Sequence, residues 1–154
     1  MAPDRIRNDS VKTVRPLTVI LDTSFLLAVL EQRRDIDEEL RDLISGPLRI
    51  ATLDMVEREL QRIGRTRSSK TGAFANAALE LLKVRKYSIF PAGIETSDTD
   101  AAILSFSLTR NDVLAVATVD RKLRAALSRL GIATIYPKRH QGLLMSKSAS
   151  PSST

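Results

Sequence analysis

The sequence contains no cysteine and a single histidine, His140, among its 154 residues. Without cysteine there can be no disulfide framework, no thiolate nucleophile and no zinc site built on sulfur ligands. We therefore expect the protein to occupy a reducing compartment. A single histidine also excludes acid–base catalysis by two imidazole rings. We interpret His140 as a surface or RNA-contacting residue rather than a catalyst.

Aromatic residues and long hydrophobic runs are also scarce. Aromatic residues make up 4% of the chain and do not cluster on a predicted strand, which argues against a base-stacking platform. The longest apolar runs, such as FLLAVL at 25–30, are far shorter than the roughly 20 residues that span a bilayer. The first ten residues lack the apolar core of a signal peptide. We expect a cytoplasmic protein with no membrane partner.

The formal net charge is +6, and most of it lies at the two ends of the chain. Residues 1–15 carry a net charge of +2 and residues 138–154 carry +3, which leaves +1 for the body of the chain. Basic ends suit a polyanion partner, because neutralised phosphates release counterions. Solvated tails explain the same charge equally well. We predict a basic N-terminal extension at 1–15, one domain at 16–140 and a disordered Ser-rich tail at 141–154.

Short β-rich runs alternate with segments of helical periodicity. The predicted strands are TVIL (18–21), RIAT (49–52), YSIF (87–90), VLAVATV (113–119) and IATIY (132–136). Between them, apolar residues recur at helical spacing, as in Val56, Leu60 and Ile63. Helical connections between strands require parallel pairing and right-handed crossovers. The predicted fold class is therefore α/β, with a central parallel sheet of five strands and helices on both faces.

Four acidic residues have unusual positions on this predicted frame. Asp22 and Asp120 directly follow the first and fourth strands, while Glu59 and Asp100 lie beside the apolar stripes of two helices. Each has an ordinary explanation. Asp22 and Asp120 could cap helices, Asp100 could form a capping box with Ser97, and Glu59 could pair with Arg62 on the surface.

Taken together, the four acids favour a different interpretation. If they converge at the carboxyl edge of a parallel sheet, where ligands bind in such folds, they repel one another unless a cation is present. Carboxylates without thiols or imidazoles suit a hard divalent cation, and Mg²⁺ typically bridges one or two carboxylates to a phosphate. We therefore predict a divalent-metal site and hydrolysis of a phosphodiester bond.

The acidic stretches VILDTSFLL, VERELQRIG, SDTDAAIL and ATVDRKL resemble, in order and separation, the four motifs of the PIN domain family of metal-dependent ribonucleases. The resemblance spans residues 18–137. It implies a three-layer fold, an acidic pocket that binds Mg²⁺ or Mn²⁺, and endonucleolytic cleavage of RNA. It places the catalytic and metal-binding acids at Asp22, Glu59, Asp100 and Asp120. It also implies supporting hydroxyls at Ser24 and Thr118, and Asp98 is an additional acid that either binds metal through water or caps a helix.

Two basic clusters lie close to the second and fourth acids and are the candidate RNA-binding residues. They consist of Arg58, Arg62, Arg65, Arg67, Lys70, Arg121, Lys122 and Arg124. We expect these side chains to bind the phosphate backbone with little sequence preference. Ordinary solvated helix faces explain each residue equally well.

The resemblance leaves two biological roles open, and one other class remains possible. The stretch at 116–140 is similar to the branch that processes ribosomal RNA, whose partners are ribosomal precursor particles. Toxins of toxin-antitoxin pairs share the same acids, and their partner is an antitoxin. A non-catalytic RNA-binding scaffold is the third alternative. A homodimer and a monomer are equally consistent with the apolar surface at 35–63.

Overall fold

The computed structural model describes residues 15–66 and 68–146. The six strands, β1 to β6, span Leu17–Leu21, Leu48–Leu53, Ser88–Phe90, Val113–Ala117, Ala133–Pro137 and Leu143–Ser146. The six helices, α1 to α6, span Thr23–Glu31, Ile36–Leu43, Asp54–Gly64, Lys70–Val84, Thr99–Thr109 and Arg121–Arg129. Within the described ranges, none of these helices is both long and apolar enough to cross a bilayer.

The strands form one sheet in the order β3-β2-β1-β4-β5-β6. The first five strands in chain order are parallel to one another, so the predicted α/β class and parallel arrangement are confirmed. The chain starts at β1, moves outward to β2 and β3, and then returns to the other side of β1 with β4. Ligands bind at such a reversal, beyond the carboxyl ends of the strands. Here it lies between β1 and β4.

The sheet has one more strand than predicted. Residues 143–146, which the sequence analysis assigned to a disordered tail, form β6 antiparallel to β5. Leu143 is buried, and the Ser146 hydroxyl lies 2.6 Å from the Thr134 hydroxyl. Residues 143–146 are mostly apolar, but the serine-rich residues that follow them made the whole segment resemble a disordered tail. Residues 147–154 of the predicted tail, like nearly all of the predicted N-terminal extension, lie outside the described residues.

Strand β1 forms the centre of the hydrophobic core. Its residues Val19, Ile20 and Leu21 have no solvent exposure, as expected for a parallel strand covered on both faces. Helix α1 adds the buried side chains of Phe25 and Leu26. Because β1 is held on both sides by neighbouring strands, the residue that follows it has a fixed position. That residue is Asp22, whose amide donates to the Ala117 carbonyl of β4 at 2.9 Å.

Candidate active site

The Asp22 carboxylate is held by hydroxyl groups from two different strand ends. It is only 4% exposed, and its Oδ2 accepts hydrogen bonds of 2.7 Å from both Ser24 and Thr118. Although Asp22 occupies the N-cap position of α1, its side chain makes no capping hydrogen bond. Burial raises the pKa of Asp22, while the hydrogen bonds from Ser24 and Thr118 oppose that rise. The capping explanation for Asp22 is therefore wrong.

The two supporting hydroxyls also join the motifs to each other. The Ser24 hydroxyl accepts from the Val119 amide at 3.1 Å, and the Thr118 hydroxyl accepts from the Asp120 amide at 3.1 Å. Thr118 is fully buried. Through these contacts, the loop after β4 is fixed against the loop after β1, and Asp120 is held near Asp22.

Asp98 and Asp120 do cap helices. Oδ1 of Asp120 accepts from the Lys122 and Leu123 amides at 2.9 and 3.2 Å, as a helix N-cap does. Oδ1 of Asp98 accepts in the same way from the first turn of α5, at 3.0 and 3.4 Å. The capping alternative is thus correct for Asp120. Since both bonds to Asp120 end on one oxygen, its second oxygen is available for a ligand.

Asp100 lies in the first turn of α5, two residues after the cap. Partial burial and the negative charges of Asp22, Asp120, Asp98 and Glu59, in that order, raise the pKa of Asp100 to about 6. The capping box with Ser97 is not formed, because Asp98 is the N-cap of α5. Asp100 therefore experiences the combined negative potential of carboxylates from four parts of the chain.

Glu59 is fixed by Thr23, whose role the sequence pattern did not predict. The Thr23 hydroxyl donates a short hydrogen bond to Oε1 of Glu59, and the Arg62 guanidinium lies 3.6 Å from Oε2. The expected ion pair with Arg62 is present. Glu59 is nevertheless only partly exposed, and its side chain also lines the cleft. Thr23 follows Asp22 directly, and no sequence pattern distinguishes its hydroxyl from that of an average helix residue.

All five acids line one cleft of about 830 Å³ at the carboxyl ends of β1 and β4. Arg58, Arg62 and Arg65 line the same cleft on the side of α3. The predicted convergence of the acids is therefore seen in the structure. The cleft therefore combines carboxylate oxygens with the three guanidinium groups of Arg58, Arg62 and Arg65, which we call the α3 wall. This combination suits a ligand that carries phosphate.

The donor set fits a hydrated divalent cation. Within residues 15–66 and 68–146, no three Asp, Glu, His or Cys side chains are close enough to enclose a metal ion without other ligands. Mg²⁺ does not need such a cage, because it commonly keeps several waters and binds one or two carboxylates together with a substrate phosphate. Repulsion from the neighbouring carboxylates contributes, after burial, to the raised pKa of Asp100. A bound divalent cation would relieve this repulsion.

The other predicted RNA-binding residues that the structure describes lie outside this cleft. Lys70, Arg121 and Lys122 are exposed, as is His140, whereas Arg124 packs over the ring of Tyr136. Arg67 is outside the described residues. The predicted second cluster therefore does not line the acidic cleft, although Arg121 directly follows Asp120 in the chain.

Comparisons with known proteins agree with this geometry. The curated relative Ribonuclease VapC4 from Methanocaldococcus jannaschii is 27% identical over 109 residues, which cover 71% of this chain and 81% of the relative. The structure of the PIN domain endonuclease Utp24 has a TM-score of 0.73 at 22% identity and covers 86% of this chain and 92% of its own.

A second solved structure has the same fold at lower similarity. VapBC2 from Rickettsia felis, bound to a DNA fragment from their promoter, has a TM-score of 0.52 at 16% identity and covers 71% of this chain and 92% of its own. At these identities the two structures establish the fold alone. The family model described as PIN like domain matches residues 19–140. Since that range is most of the chain and contains all four acidic motifs, the protein belongs to the PIN like domain family.

Proposed function

We propose that the protein is a divalent-metal-dependent endoribonuclease that hydrolyses phosphodiester bonds in RNA. The observation that carries the proposal is the convergence of Asp22, Glu59, Asp98, Asp100 and Asp120 in one cleft. Capping would not require this convergence, and only Asp98 and Asp120 cap. The family membership and the name of the M. jannaschii relative, a ribonuclease, support the same activity.

The acids have different roles in this proposal. Asp22, Asp100 and Asp120 would bind Mg²⁺ or Mn²⁺, with Glu59 at the side of the cleft. When bound, the cation supplies an activated water and neutralises charge on the phosphate. Ser24 and Thr118 fix the orientation of Asp22, because both donate to the same oxygen. Asp98 stabilises the start of α5 and thereby holds Asp100 in place.

The arginines on the α3 wall would bind the RNA backbone. Arg58 pairs with Asp54 at 3.6 Å and Arg62 with Glu59 at 3.6 Å. Both arginines are more than half exposed, so their ion pairs are weak and can be exchanged for phosphate contacts. Arg65 is also exposed and completes the wall. Backbone contacts of this type position a strand without reading its sequence.

Cleavage of a labelled single-stranded RNA in Mn²⁺ tests the activity. The wild type should cleave, and Asp22→Asn should reduce the rate by at least about 100-fold, because losing one ligand disturbs both the cation and its neighbours. Asp42→Asn is the matched control, since Asp42 is exposed on α2 and does not line the cleft. Equal activity in Asp22→Asn and the wild type would mean that a contaminant or another site cleaves the RNA.

For the biological role, we propose RNA processing, of ribosomal RNA or another transcript, on the sequence similarity of residues 116–140. The alternative is a toxin ribonuclease, because toxins of toxin-antitoxin pairs share the same acids and the same size; the M. jannaschii relative is named a ribonuclease. An antitoxin reading frame directly upstream of the gene, or growth arrest on expression that Asp22→Asn abolishes, would favour the toxin. Binding of Asp22→Asn to ribosomal precursor particles would favour processing.

A further inference from the structure

We infer that a second cleft binds a backbone phosphate of the RNA strand whose scissile phosphate occupies the acidic cleft. This second cleft, the α6 groove, has a volume of about 410 Å³ and lies between α6 and the β5–β6 hairpin. Its lining residues are Arg121, Arg124, Ala125, Ser128, Thr134 and Ser146. The inference rests on the proposed function for the identity of the strand, but the binding itself can be tested without cleavage.

Arg124 is the central residue of the α6 groove. Its guanidinium carbon lies 3.5 Å from the centre of the Tyr136 ring, which is a close cation–π stack. Its Nε is buried and has no hydrogen-bond partner among the described residues. A guanidinium held flat by stacking loses little freedom when it binds a phosphate. Since the face of Tyr136 is already covered, the groove is suited to the backbone of a strand rather than to a base.

Arg124 also differs from the arginines that stabilise the fold. Arg110 binds Asp112 through two bonds of 2.9 Å, and Arg85 lies 3.3 Å from Asp37. Within the described residues, no carboxylate lies within ion-pair distance of Arg121 or Arg124, and no acid lines the α6 groove. A stacked arginine without a counter-charge, in a groove without acids, is what an anion site requires.

The position of α6 connects the groove to the acidic cleft. Asp120 caps the helix and lines the acidic cleft, and Arg124 follows four residues later, or about 6 Å along the axis. Arg121 and Lys122 lie in the first turn, where positive side chains are unfavourable because of the helix dipole. An anionic strand that leaves the acidic cleft past Arg121 would remove this unfavourable interaction.

Hydroxyl groups complete the α6 groove. The Ser128 hydroxyl borders the groove from α6, and a hydroxyl donor beside arginine is typical of phosphate contacts in nucleic-acid complexes. The Thr134 and Ser146 hydroxyls lie 2.6 Å apart on β5 and β6, and the Ser146 hydroxyl also donates to the Thr134 carbonyl at 3.3 Å, so this pair holds the two strands together beside the groove. β6 is therefore a functional part of the fold as well as a structural one, because it supplies one side of this groove.

Fluorescence anisotropy with a short labelled RNA, in EDTA so that the strand stays intact, tests the inference. Arg124→Gln should weaken binding about five- to tenfold at low salt and make the logarithmic salt slope shallower by about 0.7, because one phosphate contact is lost. Arg129→Gln removes the same charge from the exposed far end of α6, outside the groove, and should change affinity less than about twofold. Equal effects of the two substitutions would overturn the inference.

A second measurement remains informative if Arg124→Gln does not fold. In the wild type, the Nε–H NMR signal of Arg124 should shift on addition of the RNA, and Arg121→Gln, at an exposed position, should reduce both the shift and the affinity. RNA binding without a shift of this signal would contradict the inference. RNA binding through Arg124 in a protein that never cleaves RNA would instead refute the proposed nuclease activity and leave the groove intact.

Discussion

At the scale of single residues, Asp22 and Asp120 show that two acids in matching positions can differ in role. Both follow a parallel strand and precede a helix, yet only Asp120 caps its helix, while Asp22 binds the hydroxyls of Ser24 and Thr118. The sequence predicts the position of both residues, since that depends on local periodicity. Local periodicity could not predict the difference, because Thr118 is brought to Asp22 from 96 residues away; only the family resemblance indicated that hydroxyl.

Asp100 allows a residue-scale prediction about stability in the absence of metal. Its pKa in the folded protein is about 6, against an ordinary value of 3.8, so the native state binds this proton more tightly than the unfolded chain does. The associated stability is present below about pH 4 and is lost as the pH rises through 6. Asp100→Asn should therefore raise the melting temperature by about 1–3 °C at pH 7.5 in EDTA, an effect kept small by solvent screening.

Melting curves at pH 7.5 and pH 4 check this prediction. At pH 4 the two proteins should melt at nearly the same temperature, because Asp100 is then mostly protonated. Asp42→Asn serves as the control and should have no effect of this kind. A lower melting temperature for Asp100→Asn at pH 7.5 would show that this carboxylate stabilises the metal-free fold, contrary to our interpretation.

At the scale of elements, periodicity predicted the five parallel strands and the helices that flank the site. Each predicted strand overlaps an observed one, although 113–119 ends early, at Ala117. The sequence could not predict β6, because four residues next to a serine-rich segment carry too little pattern. A short strand of this type is stabilised by pairing with β5, which is a tertiary interaction and not a local preference.

The start of α4 gives an element-scale prediction. The loop before this helix is closed by the Thr66 carbonyl, which accepts from the Ser69 hydroxyl at 2.8 Å, and by the Gly72 amide, which donates to the same hydroxyl at 2.9 Å. A Cβ on Gly72 would overlap the Thr66 carbonyl. Gly72→Ala should therefore destabilise the protein by about 1–3 kcal/mol in urea unfolding.

Gly142→Ala is a suitable comparison for that measurement. A Cβ at Gly142 meets no atom within 4 Å, so its effect should stay within about 0.5 kcal/mol. If the two substitutions had equal effects, the close approach of Gly72 to Thr66 would not contribute to stability.

At the scale of the whole molecule, the net charge of the protein and the charge of its acidic cleft have opposite signs. The chain has a net charge of +6, but the acidic cleft is lined by five acids, with three arginines on one wall. RNA must approach a negative site on a positive protein. The positive surroundings attract the strand over a distance set by ionic strength, while the acids can accept a phosphate only together with a cation.

Because attraction and catalysis use different residues, the two should respond differently to salt and to substitution. Arg58→Gln combined with Arg65→Gln should weaken RNA binding and make the logarithmic salt slope shallower by about 1.4, the value for two lost single-strand phosphate contacts. At saturating RNA, the cleavage rate should change little, since neither arginine touches the acids in the structure.

Arg41→Gln with Lys83→Gln removes the same charge from exposed positions outside the acidic cleft and should leave the slope nearly unchanged. Titrations at several KCl concentrations and single-turnover cleavage measure the two effects; an equal change of slope in both double variants would show that net charge, and not the α3 wall, holds the strand.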